Sequence, residues 1–231
     1  MRVVVASYNV HGAVGTDRRF APERIAAVLD EIGADVIALQ ELEVRGDVDV
    51  LLHLREHGGW RALAAPTLRQ AHGGEFGNGL LTRFAVRETR RHDLSVGKRE
   101  PRGALDAVLD CAGAPLRVVA THLGLRPSER REQISRLLDA VRRGPNLPTV
   151  LLGDLNEWWL KRKSLRWLHE HFGEAPACPT FPSRWPLFAL DRVWVAPAVA
   201  LREVRVHKSP LARRASDHLP LIATLEIAKP A

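Results

Sequence analysis

Cysteine is scarce in this 231-residue chain: only Cys111 and Cys178 are present, in unrelated segments and without metal-ligand spacing. Two isolated thiols exclude a disulfide-stapled scaffold and a thiolate metal site, and they fit a reducing compartment. Long apolar runs are missing as well. None approaches the ~18 residues that span a bilayer, so no transmembrane segment is expected. No signal-peptide pattern leads into the first strand-like stretch, since Arg2 is followed at once by Val3, Val4 and Val5. The expected location is cytoplasmic. Internal repeats, long linkers and low-complexity tracts are absent too, which points to a single domain over 1–231.

What is present is an ordinary globular composition, 45% hydrophobic and 26% charged, with a net charge of +7. Such a length supports a sizeable core, and the positive balance favours anionic substrates or surfaces. Short runs rich in Val, Leu and Ile mark strands at 3–9, 35–40, 60–65, 79–82, 104–109, 116–122, 149–153, 190–195, 200–206 and 220–227. A helix is expected from Pro22, with Ile25, Val28, Leu29 and Ile32 on one face and Gly33 just past its end. A second runs from Ser128 as N-cap to Gly144, and shorter ones lie near 47–57 and 164–172. The stretches 66–78, 90–103, 174–187 and 207–216 read as loops. Several strands per helix, without strict alternation, argue for an α/β sandwich of mixed or antiparallel sheets.

The chemistry lies where the apolar strands stop. VVVASYN ends on Asn9, DVIALQE on Gln40 and Glu41, LRVVATH on His122, and PTVLLGDLN on Asp154 and Asn156. Two segments reverse the order: LDRVWV begins with Asp191, and SDHLPL places Asp217 and His218 just before its strand. If all these groups share one rim, the last two strands must run opposite to the first four. Each residue alone has a plain structural use, as a turn former, helix cap or core histidine. Six deliveries of acids, amides and imidazoles to strand ends are hard to explain as independent accidents.

Taken together and in order, SYN, LQE, GNGLLTR, THLGL, GDLNE, LDRVWV and SDHLPL resemble the endonuclease/exonuclease/phosphatase superfamily, the deoxyribonuclease I-like hydrolases, over nearly the whole chain. The resemblance implies a four-layer α/β sandwich, two mixed or antiparallel sheets flanked by helices. It also implies hydrolysis of phosphoesters with a divalent metal, Mg²⁺ or Mn²⁺, for which oxygen donors are suited. By the same resemblance Glu41 is the principal metal ligand, with Asn9 beside it and Asp217 contributing. Asp191 orients His218, and Asp154 positions or deprotonates the attacking water. Asn156 and His122 bind phosphate oxygens, and Asn78 of GNG supports His122 or the phosphate. Which of Asp154 and His218 is the general base stays open.

The substrate is a phosphoester of one of two classes: a small or lipid headgroup ester, or nucleic acid. The modest length leaves little room for insertions that grip DNA, which favours the first. A non-catalytic phosphate-binding module is disfavoured because the whole residue set is present. Arg99 and Arg102, in KREPRGALDA, are candidates to hold a substrate phosphate through a forked guanidinium, with a solvated basic loop as the alternative. In WWLKRKSLRWLHEHF, residues 158–172, a helix would put Trp158, Leu165, Leu168 and Phe172 on the buried face. Trp159, Leu160, Lys163, Arg166 and Trp167 would fall elsewhere, suited to base stacking or to peripheral membrane contact, while a core helix with its tryptophans under neighbouring loops is the favoured alternative. A monomer is expected.

Overall fold

The computed structural model describes residues 1–69, 74–160 and 162–228. Two sheets form from the apolar runs. One has seven strands: β1 (Arg2–Asn9), β2 (Val36–Arg45), β3 (Val48–Asp49), β4 (Arg61–Arg69), β5 (Glu75–Thr82), β11 (Leu201–Val206) and β12 (Leu221–Glu226). The other has five: β6 (Ala85–Asp93), β7 (Gly103–Cys111), β8 (Ala114–His122), β9 (Thr149–Asp154) and β10 (Asp191–Ala196). The helices are α1 (Pro22–Ile32), α2 (Val50–Gly58), α3 (Pro127–Arg143), α4 (Lys163–Phe172) and α5 (Pro210–Ala215). None of them is long and apolar enough to cross a membrane.

Side-chain alternation along the strands builds the layers. Val3 and Val5 of β1, Leu116, Val118 and Ala120 of β8, Val150 and Leu152 of β9, and Val193 and Val195 of β10 form one core between the sheets. The opposite faces are covered by helices. Ala6, Tyr8, Ile37 and Leu39 pack with Ile25, Val28, Leu29 and Ile32 of α1, and with residues of α2 and α5. Val119, Leu151 and Trp194 pack with Ile134, Leu137, Leu138 and Val141 of α3 and Leu165, Leu168 and Phe172 of α4. The result is a four-layer α/β sandwich with mixed sheets, as expected. Each large aliphatic side chain so buried contributes about 1.5–3 kcal/mol.

Strand directions match the rim requirement. β1 runs parallel to β2 and antiparallel to β12. In the other sheet β9 runs parallel to β8 and antiparallel to β10. The C-terminal ends of β1, β2, β8 and β9 therefore meet the N-terminal ends of β10 and β12.

Several expectations need correction. Residues 90–93 belong to β6, the edge strand AVRETRRHD, whose charges hide any alternation because only β7 pairs with it. The supposed loop 66–78 is largely sheet, β4 reaching Arg69 and β5 starting at Glu75; residues 70–73 lie outside the described residues. Within 207–216, Ser209 caps the short helix α5 through its side chain. α3 starts at Pro127 with Arg126 as N-cap, so Ser128 sits inside the first turn. Residues 48–49 form β3 before α2 begins. α4 starts only at Lys163, so Trp158 lies outside the helix and meets Phe181 and Phe188 edge-on, at 5.7 and 4.7 Å between ring centroids.

Candidate active site at the rim between the sheets

Alternation aims most of the polar strand ends inward. Asn9 continues the face of Val3 and Val5, His122 that of Val118 and Ala120, and Asp154 that of Val150 and Leu152. Asp191 shares the face of Val193 and Val195. Register brings them level: Asp154 is flanked across the sheet by His122 of β8 and Asp191 of β10. Gly153 permits this. Its φ is 150°, and an added Cβ would stand 1.9 Å from the Thr121 carbonyl oxygen.

Glu41 breaks the alternation. Its parity matches Ile37 and Leu39, which face the helices. A register shift in β2 between Leu39 and Leu42 coincides with a left-handed φ of 55° at Glu41. This bulge sets the carboxylate beside Asn9 instead. Asn156 has a φ of 51°, a conformation asparagine tolerates, and its amide folds back onto the end of β8.

Asp154 is the hub. Its Oδ2 accepts a bond from Asn9 Nδ2 at 3.1 Å and lies 3.5 Å from His122 Nε2 and 3.7 Å from His218 Nε2. Its Oδ1 accepts the Asn156 backbone N–H at 2.8 Å. The Asn9 amide also donates to Glu41 Oε1 at 2.9 Å, while its oxygen accepts the His11 N–H at 3.0 Å. His11 itself holds Val14 O through Nδ1 at 3.0 Å, a structural contact. Ser216 donates to the Asn9 carbonyl at 2.7 Å and accepts the His218 N–H at 3.2 Å, tying the SDH turn to β1.

The two imidazoles differ. His218 Nδ1 is 2.8 Å from Asp191 Oδ2, which also accepts the Thr180 hydroxyl at 2.6 Å. Burial opposes charge on His218, but Asp191, Asp154 and Asp217 outweigh it and raise its pKa to about 10. For His122 burial dominates and, despite Asp154, lowers the pKa to about 3, with Arg102 adding to the effect. Both ring nitrogens of His122 face donors, Asn156 Nδ2 at 3.0 Å and Arg102 Nη1 at 3.4 Å. Glu41 is pushed upward by burial and by the nearby Asp217 and Asp154 carboxylates, against the Asn9 bond.

Thus Asn9, Glu41, His122, Asp154, Asn156, Asp191, Asp217 and His218 meet at one rim. Arg102 joins them through His122 and is buried, with a second contact to Glu100 at 3.0 Å. Arg99 instead reaches Glu129 of α3 at 3.4 Å. Asn78 donates to the Gly103 carbonyl at 3.2 Å, the same oxygen that accepts the Thr121 hydroxyl, so it braces the strand end carrying His122. Sequence reasoning missed Thr180 and Ser216. Ser216 stood next to the recognised Asp217 in SDHLPL and Thr180 lay in the loop 174–187, but a lone hydroxyl carries no spacing of its own. It also missed the buried pair of Arg130 with Glu157 at 3.1 Å, which anchors the segment after GDLN.

The carboxylate oxygens of Glu41 and Asp217 repel one another, and Asn9, which turns its Nδ2 to Glu41, would join them as an oxygen donor by turning its amide over. Such a pair of hard, mutually repelling carboxylates suits a divalent cation. Among the described residues no group of three or more His, Cys, Asp or Glu has ready-made metal-holding geometry. A cation here would rest on few protein ligands, with waters or substrate oxygens completing its shell, as Mg²⁺ commonly does.

A two-sheet sandwich with a carboxylate, amide and imidazole rim defines the class of fold and site. The chain belongs to the Endonuclease/Exonuclease/phosphatase family, whose model matches residues 6–218. It is 30% identical to YbhP of Escherichia coli (strain K12) over a 246-residue alignment covering 96% of each protein. An endonuclease/exonuclease/phosphatase structure from Beutenbergia cavernae superposes with a TM-score of 0.81 at 22% identity, covering 98% of this chain and 72% of that one. The mannosyl-6-phosphatase Bt3783 of Bacteroides thetaiotaomicron superposes at 0.77 and 19% identity, covering 98% of this chain and 99% of that one. These structural likenesses concern the fold.

Proposed function

We propose that the chain is a divalent-metal-dependent phosphoester hydrolase acting by in-line attack of water on phosphorus. The observation that supports this best is the convergence on Asp154 Oδ2 of Asn9, His122 and His218 at 3.1, 3.5 and 3.7 Å. Phosphoryl transfer needs a positioned water, donors on the equatorial oxygens and help for the leaving oxygen. Asp154 holds the water and takes its proton. His218 has Nδ1 engaged by Asp191, which leaves Nε2 to bind a phosphoryl oxygen as charge develops there. Asn156 and His122 bind the neighbouring oxygens. Glu41, with Asp217 and Asn9 beside it, would hold Mg²⁺ or Mn²⁺. That ion supplies charge neutralisation at the leaving oxygen when bound.

The preferred substrate is a small or lipid headgroup phosphoester. Nucleic acid is the second reading, favoured by Trp159 and Trp185, which are 65% and 76% exposed and can stack bases. Hydrolysis of bis(p-nitrophenyl) phosphate with Mg²⁺ or Mn²⁺ tests the reaction, alongside plasmid DNA and phospholipid headgroup esters. Chelation with EDTA should abolish turnover, and Glu41→Ala should lower it by about 10³-fold or more. Full activity of Glu41→Ala would overturn the assignment.

A further inference from the structure

Beside the SDH turn lies an open cavity of about 450 Å³ whose wall includes Thr16, Asp17, Arg184, Trp185, Arg213 and Arg214. Its charge is lopsided. Arg214 bonds Asp17 Oδ2 through Nε and Nη2 at 3.1 and 3.0 Å, but Asp17 is already gripped by Arg24 at 2.9 and 3.0 Å. Among the described residues no carboxylate lies within ion-pair distance of Arg184 or Arg213. Arg213 Nη1 instead donates to the Ser183 and Arg184 carbonyls at 3.1 and 2.7 Å, which fixes its position without neutralising it. Three guanidinium groups thus share one cavity with a single carboxylate that a fourth guanidinium already satisfies. Forked donors in that surplus suit a phosphate group.

The cavity is wired to the catalytic rim on both sides. Arg213 and Arg214 lie in the last turn of α5, which leads directly into Ser216, Asp217 and His218. The opposite wall, carrying Arg184 and Trp185, follows Ser183, whose N–H donates to the Asp217 carbonyl at 2.6 Å. Phe181 of the same segment lies against the His218 ring, with centroids 4.8 Å apart. Gly15 lets α5 sit this close, because an added Cβ would stand 2.5 Å from the Arg214 carbonyl oxygen. Phe181 thus lies between the His218 ring and the segment carrying Arg184 and Trp185 along the chain.

We propose that this cavity is a second anion subsite, and that the substrate carries a second phosphate besides the one cleaved. The inference rests on the hydrolase reading above and names a property of its substrate. A neighbouring phosphate of a nucleic acid strand and the second phosphate of a small bisphosphate have the same chemistry here, so the test carries both. Two substrate pairs are compared, each differing by one phosphate: thymidylyl-thymidine with and without a 5′-phosphate, and propanediol bisphosphate against propyl phosphate. The wild-type protein should prefer the doubly phosphorylated member of at least one pair by about tenfold in kcat/KM. Arg184→Glu, on an exposed side chain, should erase that preference. The pair showing the effect identifies the source of the second phosphate. An equal preference in wild type and Arg184→Glu overturns the subsite. If the wild-type protein cleaves neither these four nor the substrates named above for the reaction itself, the hydrolase reading falls, and calorimetry with inorganic pyrophosphate decides the subsite alone. Affinity weakened about tenfold by Arg184→Glu supports it, and unchanged affinity overturns it.

Discussion

His218 and His122 stand on opposite sides of Asp154, one from the turn before β12 and the other from the end of β8. Both are buried, yet His218 is ringed by Asp191, Asp154 and Asp217, while His122 faces Arg102 and the Asn156 amide. The carboxylate-rich side keeps a proton on its imidazole, and the donor-rich side keeps one off. On the proposed reading, one histidine serves as a charged donor to phosphate and its neighbour as a neutral one. Burial by itself pushes both the same way, so the neighbours decide the difference.

The largest way to break that contrast is to remove the partner of His218. Asp191→Asn should lower kcat about 10²-fold or more and move the His218 pKa downward from about 10, as read by NMR titration of the ring. A His218 titration that stays in place would refute the account of its charge. Removing the cation beside His122 should do the reverse on a smaller scale. Arg102→Ala should raise the His122 pKa from about 3, while burial keeps it below the ordinary 6.5. The accompanying loss of kcat/KM should be about tenfold; a downward movement of His122 would contradict the role given to Arg102.

The last predictions concern stability against pH. The folded pKa of His218 lies above the ordinary 6.5, so its contribution is full below 6.5 and is lost as pH rises through about 10. His122 has the opposite sign. Below 6.5 the unfolded chain takes up a proton that the folded ring refuses until about pH 3, so stability is lost as pH falls across that window. Denaturant melts of wild type, His218→Asn and His122→Asn from pH 3 to about pH 10 read both. The wild-type advantage over His218→Asn should shrink toward the alkaline end, and that over His122→Asn toward the acid end. Parallel curves for all three would remove the linkage.

Much of the site was legible because it depends on strand periodicity and on unusual endings. Asn9, His122, Asp154 and Asp191 each continue a buried face, and a reader of VVVASYN or LRVVATH can count to them. The edge strands β10 and β11 were legible, but the charged edge strand β6 and the shortest elements were not. β6 carries charge on both faces because one of its edges has no partner strand. α5 is six residues long, too short to show a helical period. The role of Arg102 depends on which of two nearby arginines turns inward, and a neighbour from α3, Glu129, drew Arg99 away.

The sequence by itself determined which residue types reach the rim and, through the reversed order in LDRVWV and SDHLPL, that the last strands oppose the first. Alternation along a strand is a local property of the backbone, so it can be counted without knowing the fold. Only the tertiary structure decided how those residues divide the work. The bulge at Glu41 reverses a side chain that parity sends to the helices. The different protonation of two buried histidines depends on carboxylates and a guanidinium brought from distant segments. So does the grouping of Arg184, Trp185, Arg213 and Arg214 around one cavity. Electric fields depend on distance in space, and that distance is set by packing two sheets face to face.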